Sequence, residues 1–362
     1  MNVGTAIIFQ NRDRARADTQ VYIDDLRLAD LAEPLGFDSL WSVEHHFTDY
    51  TMVPDCTQFL SYMAGRTQRI QLGSMVIVLP WHQPIRVAEE LAMLDHLSNG
   101  RTLLGIGRGI GRVEYEGLGI DQNTSRQRFT ESAEAVLEAL ETGVMEYDGE
   151  FVQQVRREIR PAPFKSFHGR TYAAAVSPES AEIMARLGIG VLVIPQKPWE
   201  QHGEDLINYR AHFRKLHGRD APAPIAVCWV MCHEDEGRAR EMAEHYLVDY
   251  YLEAAKHYEL GGYQFDSMKG HEEYARWSAN MRKSSTQDIA DFFLDLQVWG
   301  TPDQCFEKIM DIRAKFGNNK FVGVFNYANL PIDDAEANMR LFAEQVMPRI
   351  SCLLYTSPSP RD

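Results

Sequence analysis

Residues 70–111 read IQLGSMVIVLPWHQPIRVAEELAMLDHLSNGRTLLGIGRGIG. The run 70–79 is apolar and β-branched without strict alternation, as a strand buried on both faces should be. Pro84 then stands where a helix can start, and Val87, Leu91, Leu94 and Leu97 follow at helical spacing. From Thr102 to Gly107 the chain returns to a short apolar run that ends in glycines. Strand, helix and strand in about forty residues make one βαβ unit, and the same alternation extends in both directions. Further strands are expected at 4–9, 39–43, 172–176, 191–195, 225–231 and 321–327, which makes eight. Helical patterns occupy 24–35, 125–140 and 178–187. Eight repeats favour an α/β fold, a (β/α)8 TIM barrel. A doubly wound sheet would place a glycine-rich turn after its first strand, but here Gln10-Asn11-Arg12-Asp13 follows. Two connections are long, 111–170 and 232–320. At strand C-termini such insertions form lids or substrate loops. The piece 259–285, with Gly261, Gly262 and Gly270 among charges and aromatics, is the candidate lid.

The chain has 362 residues and a net charge of −15, which argues against nucleic acid and anionic membranes as partners. No apolar stretch approaches the ~20 residues of a membrane helix. The start, MNVGTAIIFQ, has no basic segment before an apolar core, so a cytoplasmic protein is expected. The five cysteines are scattered, and Cys228 and Cys232 do not have metal-ligand spacing. No internal repeat or linker breaks residues 1–350, expected to form a single domain. Residues 351–362, SCLLYTSPSPRD, look foreign to it, and their polar, Pro-rich end is expected to be disordered.

Strand C-termini face the active site of a barrel, and polar residues gather there. The second strand runs into Glu44-His45-His46-Phe47. Adjacent histidines can bind metal, exchange protons or simply hydrogen-bond. Neighbouring side chains diverge and no HxxE or HxH pattern follows, so no metal is expected. One imidazole facing the pocket with Glu44 beside it suits acid–base work. The fourth strand ends Gly105-Ile106-Gly107-Arg108-Gly109-Ile110-Gly111, where glycines admit a flat group close to the backbone and Arg108 offers a fixed cation. After the fifth strand come Val176-Ser177-Pro178-Glu179-Ser180. Ser177 can cap the following helix, or that helix start can hold a phosphate. Trp81, Trp229 and Trp299 are read first as core residues, with a pocket wall as the other possibility.

Several stretches together resemble the bacterial-luciferase family of flavin-dependent monooxygenases, and its α subunits above all. They are Gly36-Phe37-Asp38-Ser39-Leu40-Trp41, Glu44-His45-His46-Phe47-Thr48, Ile77-Val78-Leu79-Pro80, Leu94-Asp95, Ser98-Asn99-Gly100-Arg101 and the ending 342–348. The similarity covers essentially residues 1–350. It implies an oxidoreductase in which reduced FMN and O2 oxygenate a small organic substrate through a flavin hydroperoxide. By the resemblance His45 is the catalytic histidine and Glu44 sits beside it. Arg108 contacts the flavin, Ser177 and Ser180 bind its phosphate, and the Val176 backbone adds to that site. Met75-Val76 stands where the family has a non-proline cis peptide against the cofactor. Gly107, also beside the ring, replaces the family's reactive cysteine, and Pro195 replaces a pocket tryptophan. The resemblance further implies a separate flavin reductase as partner and a dimer, here a homodimer, paired through helices near 54–65 and 84–97 with Glu89 near the interface. A deazaflavin-dependent reductase or dehydrogenase on the same barrel is the alternative. A non-catalytic flavin-binding partner subunit is another, disfavoured by the retained His45 and Arg108.

Overall fold

The protein's structure, a computed structural model, describes residues 1–174, 178–268 and 272–352. Val176, Ser177, Gly270 and the tail beyond residue 352 lie outside the described residues. The eight anticipated strands are present as β1 (Asn2–Ile7), β2 (Ser39–Ser42), β3 (Gln71–Ser74), β4 (Thr102–Gly107), β5 (Thr171–Ala174), β6 (Gly190–Val193), β7 (Ile225–Cys232) and β8 (Lys320–Val324). Each pairs in parallel with its successor. The sheet closes where β8 meets β1, with Asn2 opposite Lys320 and Ala6 opposite Val324. The eight strands form a (β/α)8 barrel, and the short strand Val298–Gly300 adds alongside the end of β7.

The strands hold because their residues are buried on both faces; all eight positions of β7 are. Helices between them end as the sequence allows. Pro84 opens Pro84–Leu97, and Thr301 with Gln304 forms a capping box for Pro302–Phe316. Gly143, Gly218 and Gly317 close their helices in the left-handed conformation. The first helix, Asp18–Ala32, begins six residues before the apolar period does. The Asn11 side chain sets that start by donating to Arg16 O and Asp18 Oδ1, both at 2.9 Å.

The anticipated third strand divides. After β3 comes a cis peptide between Met75 and Val76, and then Ile77–Val78 rejoins β4. The eighth strand stops at Val324; Tyr327 turns away and donates to Val230 O at 3.0 Å. The long connection after β4 carries an antiparallel hairpin, Val144–Asp148 with Gln153–Glu158. Its turn is pinned by Glu131, whose carboxylate accepts from Phe151 N and Val152 N at 2.8 and 2.9 Å. The connection after β7 is mainly helical, with Val248–His257, Glu272–Met281 and Thr286–Leu296. Among the described residues no helix is long and apolar enough to cross a membrane.

Below the barrel, Arg170 uses its whole fork. It donates to Asp95 Oδ1 and Oδ2, each at 2.7 Å, and to the carbonyls of Thr102, Lys165 and Ser166. The pair ties the helix Pro84–Leu97 to the starts of β4 and β5, and neither side chain is more than one-tenth exposed. Removing one partner of such a pair strands the other charge without solvent. Arg170→Met should therefore lower unfolding free energy by about 3–5 kcal/mol, read from urea midpoints. Asp95→Asn added to it should recover part of the loss, because a neutral amide is cheaper to bury. A single variant within about 1 kcal/mol of wild type would refute the role given to the pair.

Candidate active site

The C-terminal ends of the strands open into one cavity. His45 and Glu44 reach it after β2, Met75 and Val76 after β3, and Gly107 and Arg108 at the end of β4. Ser180, from the helix Pro178–Leu187, lines it too. Of the catalytic and cofactor-binding residues expected from sequence, those that are described line this cavity. Trp81 and Trp229 stand in the wall, whereas Trp299 lies elsewhere and donates to Leu294 O. Leu260, Tyr274 and Trp277, from the candidate lid, also line the cavity. Tyr250, Tyr251 and Phe293 complete a largely aromatic side.

The two adjacent histidines part company. His46 bonds through Nε2 to Glu44 Oε1 at 3.2 Å, and His82 Nε2 reaches the same oxygen at 2.7 Å. The other Glu44 oxygen accepts from Val78 N at 2.8 Å. Burial works to raise the Glu44 pKa, but these donors outweigh it and hold the carboxyl below its ordinary value. Glu44 is thus engaged by His46 and His82, not by His45.

His45 has a different carboxylate. Its Nδ1 lies 2.9 Å from Glu114 Oε1, and its Nε2 lies 3.2 Å from the Tyr258 hydroxyl. Glu114 Oε1 also accepts from His46 N at 3.0 Å. Glu114 Oε2 faces His257 Nε2 at 3.5 Å, and His257 Nδ1 bonds to Thr48 Oγ1 at 2.8 Å. A carboxylate can only accept, so Nδ1 of His45 carries a proton and Nε2 is left as the exchangeable nitrogen. Burial keeps the Tyr258 phenol protonated, so it donates to Nε2. Burial also lowers the His257 pKa, which favours a neutral ring. For Glu114 burial alone would raise the pKa; the adjoining His45 and His257 rings outweigh it and bring it to about 2.

The glycines at the end of β4 answer to β3 and its continuation. A Cβ on Gly105 would stand 2.0 Å from Ser74 O, and one on Gly107 would stand 2.3 Å from Val76 Cγ2. A side chain at 107 would require Val76 to shift. Gly109, at φ +72°, adopts a conformation that side chains resist, and a Cβ there would meet Val78 and Trp81. Arg108 is half-buried in the wall, its carbonyl accepting from the Tyr115 hydroxyl. Burial lowers its pKa from the ordinary arginine value.

Sequence reading did not single out Glu114, His257 or Tyr258. Glu114 follows the glycine run by only three residues, a usable signal once the barrel mouth is assumed. Tyr258 lies 213 residues from His45, and no local pattern marks it or His257.

The family model for luciferase-like monooxygenases matches residues 1–319. The alkanal monooxygenase alpha chain of Photobacterium leiognathi is 27% identical over 352 residues, covering 95% of this chain and 98% of that one. The oxygenase component of the flavin-dependent trigonelline monooxygenase of Acinetobacter baylyi is 32% identical over 192 residues, 52% of this chain and 53% of its own. The crystal structure of a monooxygenase from Streptomyces bottropensis superposes with a TM-score of 0.78 at 28% identity, covering 96% and 99% of the two chains. Two more distant structures share the fold. One is the oxygenating constituent of 3,6-diketocamphane monooxygenase from Pseudomonas putida, in complex with FMN (17% identity, TM-score 0.74, 96% and 98% covered). The other is a coenzyme F420-dependent reductase from Methanopyrus kandleri (21% identity, TM-score 0.65, 97% and 100% covered).

The depressed Glu114 pKa has a stability consequence. Its ordinary value is 4.5 and its folded value about 2, so the folded state holds the carboxylate more tightly than the unfolded state does. The contribution is complete above pH 4.5 and is lost as pH falls toward 2. Urea midpoints measured across that range should therefore fall more steeply for wild type than for Glu114→Gln. Parallel slopes would mean that Glu114 carries no such shift.

Proposed function

The chain belongs to the luciferase-like monooxygenase family, and from that premise we propose that it is the oxygenase component of a two-component flavin system. It takes reduced FMN from a separate reductase and, with O2, oxygenates a small organic substrate. We further read it as a cytoplasmic homodimer. One observation carries the functional reading: His45, Met75, Val76, Gly107, Arg108 and Ser180 share one cavity. The alkanal and trigonelline monooxygenases named above support the reaction class, and the latter's designation as an oxygenase component supports a separate reductase.

The residues present suit a phosphorylated, flat, partly anionic cofactor. Glycines 107 and 109 keep the end of β4 bare of side chains, and Arg108 supplies a cation there. Ser180 offers a hydroxyl for the phosphate, and Ser177 and Val176 are proposed to join it. Met75 and Val76 offer an apolar surface to the ring. When bound, reduced FMN supplies the activation of O2. The chain's own residues bind and orient it, exclude water and hold a proton. His45 does the last: Glu114 fixes its Nδ1–H, so Nε2, beside Tyr258, gives or takes a proton at the cavity surface. The aromatic wall and the segment bearing Leu260, Tyr274 and Trp277 keep that exchange from bulk water. Glu44 is assigned here to positioning, since its carboxylate holds His46 and His82 and faces away from His45's partner.

Two measurements test this reading. Anaerobic titration should show reduced FMN binding, and Arg108→Met should weaken it by about 1–3 kcal/mol, the worth of lost charge-assisted bonds. Tighter binding of reduced F420 than of FMN would replace the oxygenase reading with the deazaflavin one. Admitting O2 to the reduced-FMN complex is the second. His45→Ala should bind reduced FMN normally yet return oxidised flavin and H2O2 about 10²–10⁴-fold faster than wild type, the range for a positioned acid–base group. His46→Ala should change the rate little. If His46→Ala has the large effect and His45→Ala does not, the pair is assigned the wrong way round.

A further inference from the structure

One cluster of ligating side chains in the cavity wall exceeds what proton exchange at Nε2 of His45 requires. His45, Glu114 and His257 each present one donor atom, and these three atoms lie within 4.8 Å of one another. His45 Nδ1 is 2.9 Å from Glu114 Oε1, and His257 Nε2 is 3.5 Å from Glu114 Oε2. Both Glu114 Oε2 and His257 Nε2 are buried without a hydrogen-bond partner, although their side chains are only 1% exposed. Such orphaned atoms are uncommon in a well-packed interior and need a reason. They lie 3.5 Å apart, too far for a good bond and near the spacing of two neighbouring ligands on one ion.

We propose that His45, Glu114 and His257 form a Zn2+ site of two imidazoles and one carboxylate, and that its occupation silences the enzyme. The donor set is the one zinc takes when it keeps a fourth position for water. Zinc–ligand bonds of about 2.0–2.2 Å place neighbouring ligand atoms roughly 3–3.5 Å apart, so donors spread over as much as 4.8 Å would have to draw together by about 1 Å to close the site. Both imidazoles already have outer partners of the kind that orient metal ligands: Thr48 Oγ1 holds the far nitrogen of His257, and the Tyr258 hydroxyl meets the far nitrogen of His45. The rings of His45 and His257 stand nearly perpendicular, with centroids 5.1 Å apart. His45 and Glu114 line the cavity, and His257 stands behind them. Two nitrogens and one oxygen favour zinc and its transition-metal neighbours over Ca2+ or Mg2+.

The silencing follows from the bond made. Zn2+ on Nδ1 of His45 displaces the proton held there, which moves to Nε2. The nitrogen that must accept and release a proton at the cavity surface is then fixed as N–H. This consequence rests on the acid–base role given to His45 above; the binding itself does not.

The test begins with flavin-free, chelator-washed protein titrated with Zn2+ against a chromophoric chelator, and separately with Co2+. One Zn2+ should bind per chain, and Co2+ should show the visible ligand-field bands of a low-coordinate site. Glu114→Gln and His257→Gln should each weaken Zn2+ binding by at least about 100-fold, and the milder Thr48→Val by about 10–100-fold. His46→Gln should leave it unchanged. Zn2+ binding that persists in Glu114→Gln, or in Thr48→Val at full strength, overturns the site. In the loaded enzyme one equivalent of Zn2+ should suppress oxygenation and chelator should restore it. Stoichiometric binding without suppression overturns the silencing. Absent binding with normal flavin oxidation overturns the site and leaves the oxygenase reading intact.

Discussion

Glu114 is an anion with almost no contact with water, and a buried carboxylate survives only where donors surround it. Three groups converge on it: the His45 ring, the His46 backbone N–H and the His257 ring. The loop after β2, the short helix Arg112–Gly117 after β4 and the helix Val248–His257 after β7 are thereby held together by one side chain. The constraint also fixes which nitrogen of His45 is free. The orientation that stabilises the anion is the orientation that presents Nε2 to the cavity. Stability and chemistry therefore draw on the same bond.

The glycines of β4 impose a second constraint at shorter range. Gly105 admits the Ser74 carbonyl and Gly107 admits Val76, so the third and fourth strands approach more closely than side chains would permit. The floor of the cavity is backbone and small apolar groups there, with Arg108 as the charge beside it. At the opposite end of the barrel, the Asp95–Arg170 pair locks the strand starts with five donated bonds. The base is held by this paired charge, whereas the mouth keeps the unpaired Glu114 Oε2 and His257 Nε2. Division of this kind is expected where one end of a barrel carries stability and the other function.

Much of this was legible in the chain itself. Apolar runs without alternation, separated by amphipathic helices, determined eight parallel strands, because only burial on both faces explains such runs. Polar residues directly after those runs determined the mouth, and so brought His45, Arg108 and Ser180 into consideration together. Tertiary structure alone decided the rest. Sequence adjacency suggested Glu44 as the partner of His45, but neighbouring side chains leave the backbone in different directions, and Glu44 went to His46 and His82. The partner of His45 is Glu114, and completing the group required His257 and Tyr258 from the far side of the barrel. No periodicity links residues more than two hundred positions apart. Closure of the barrel brings the loop after β2 against the helices after β7, and that contact exists only in three dimensions.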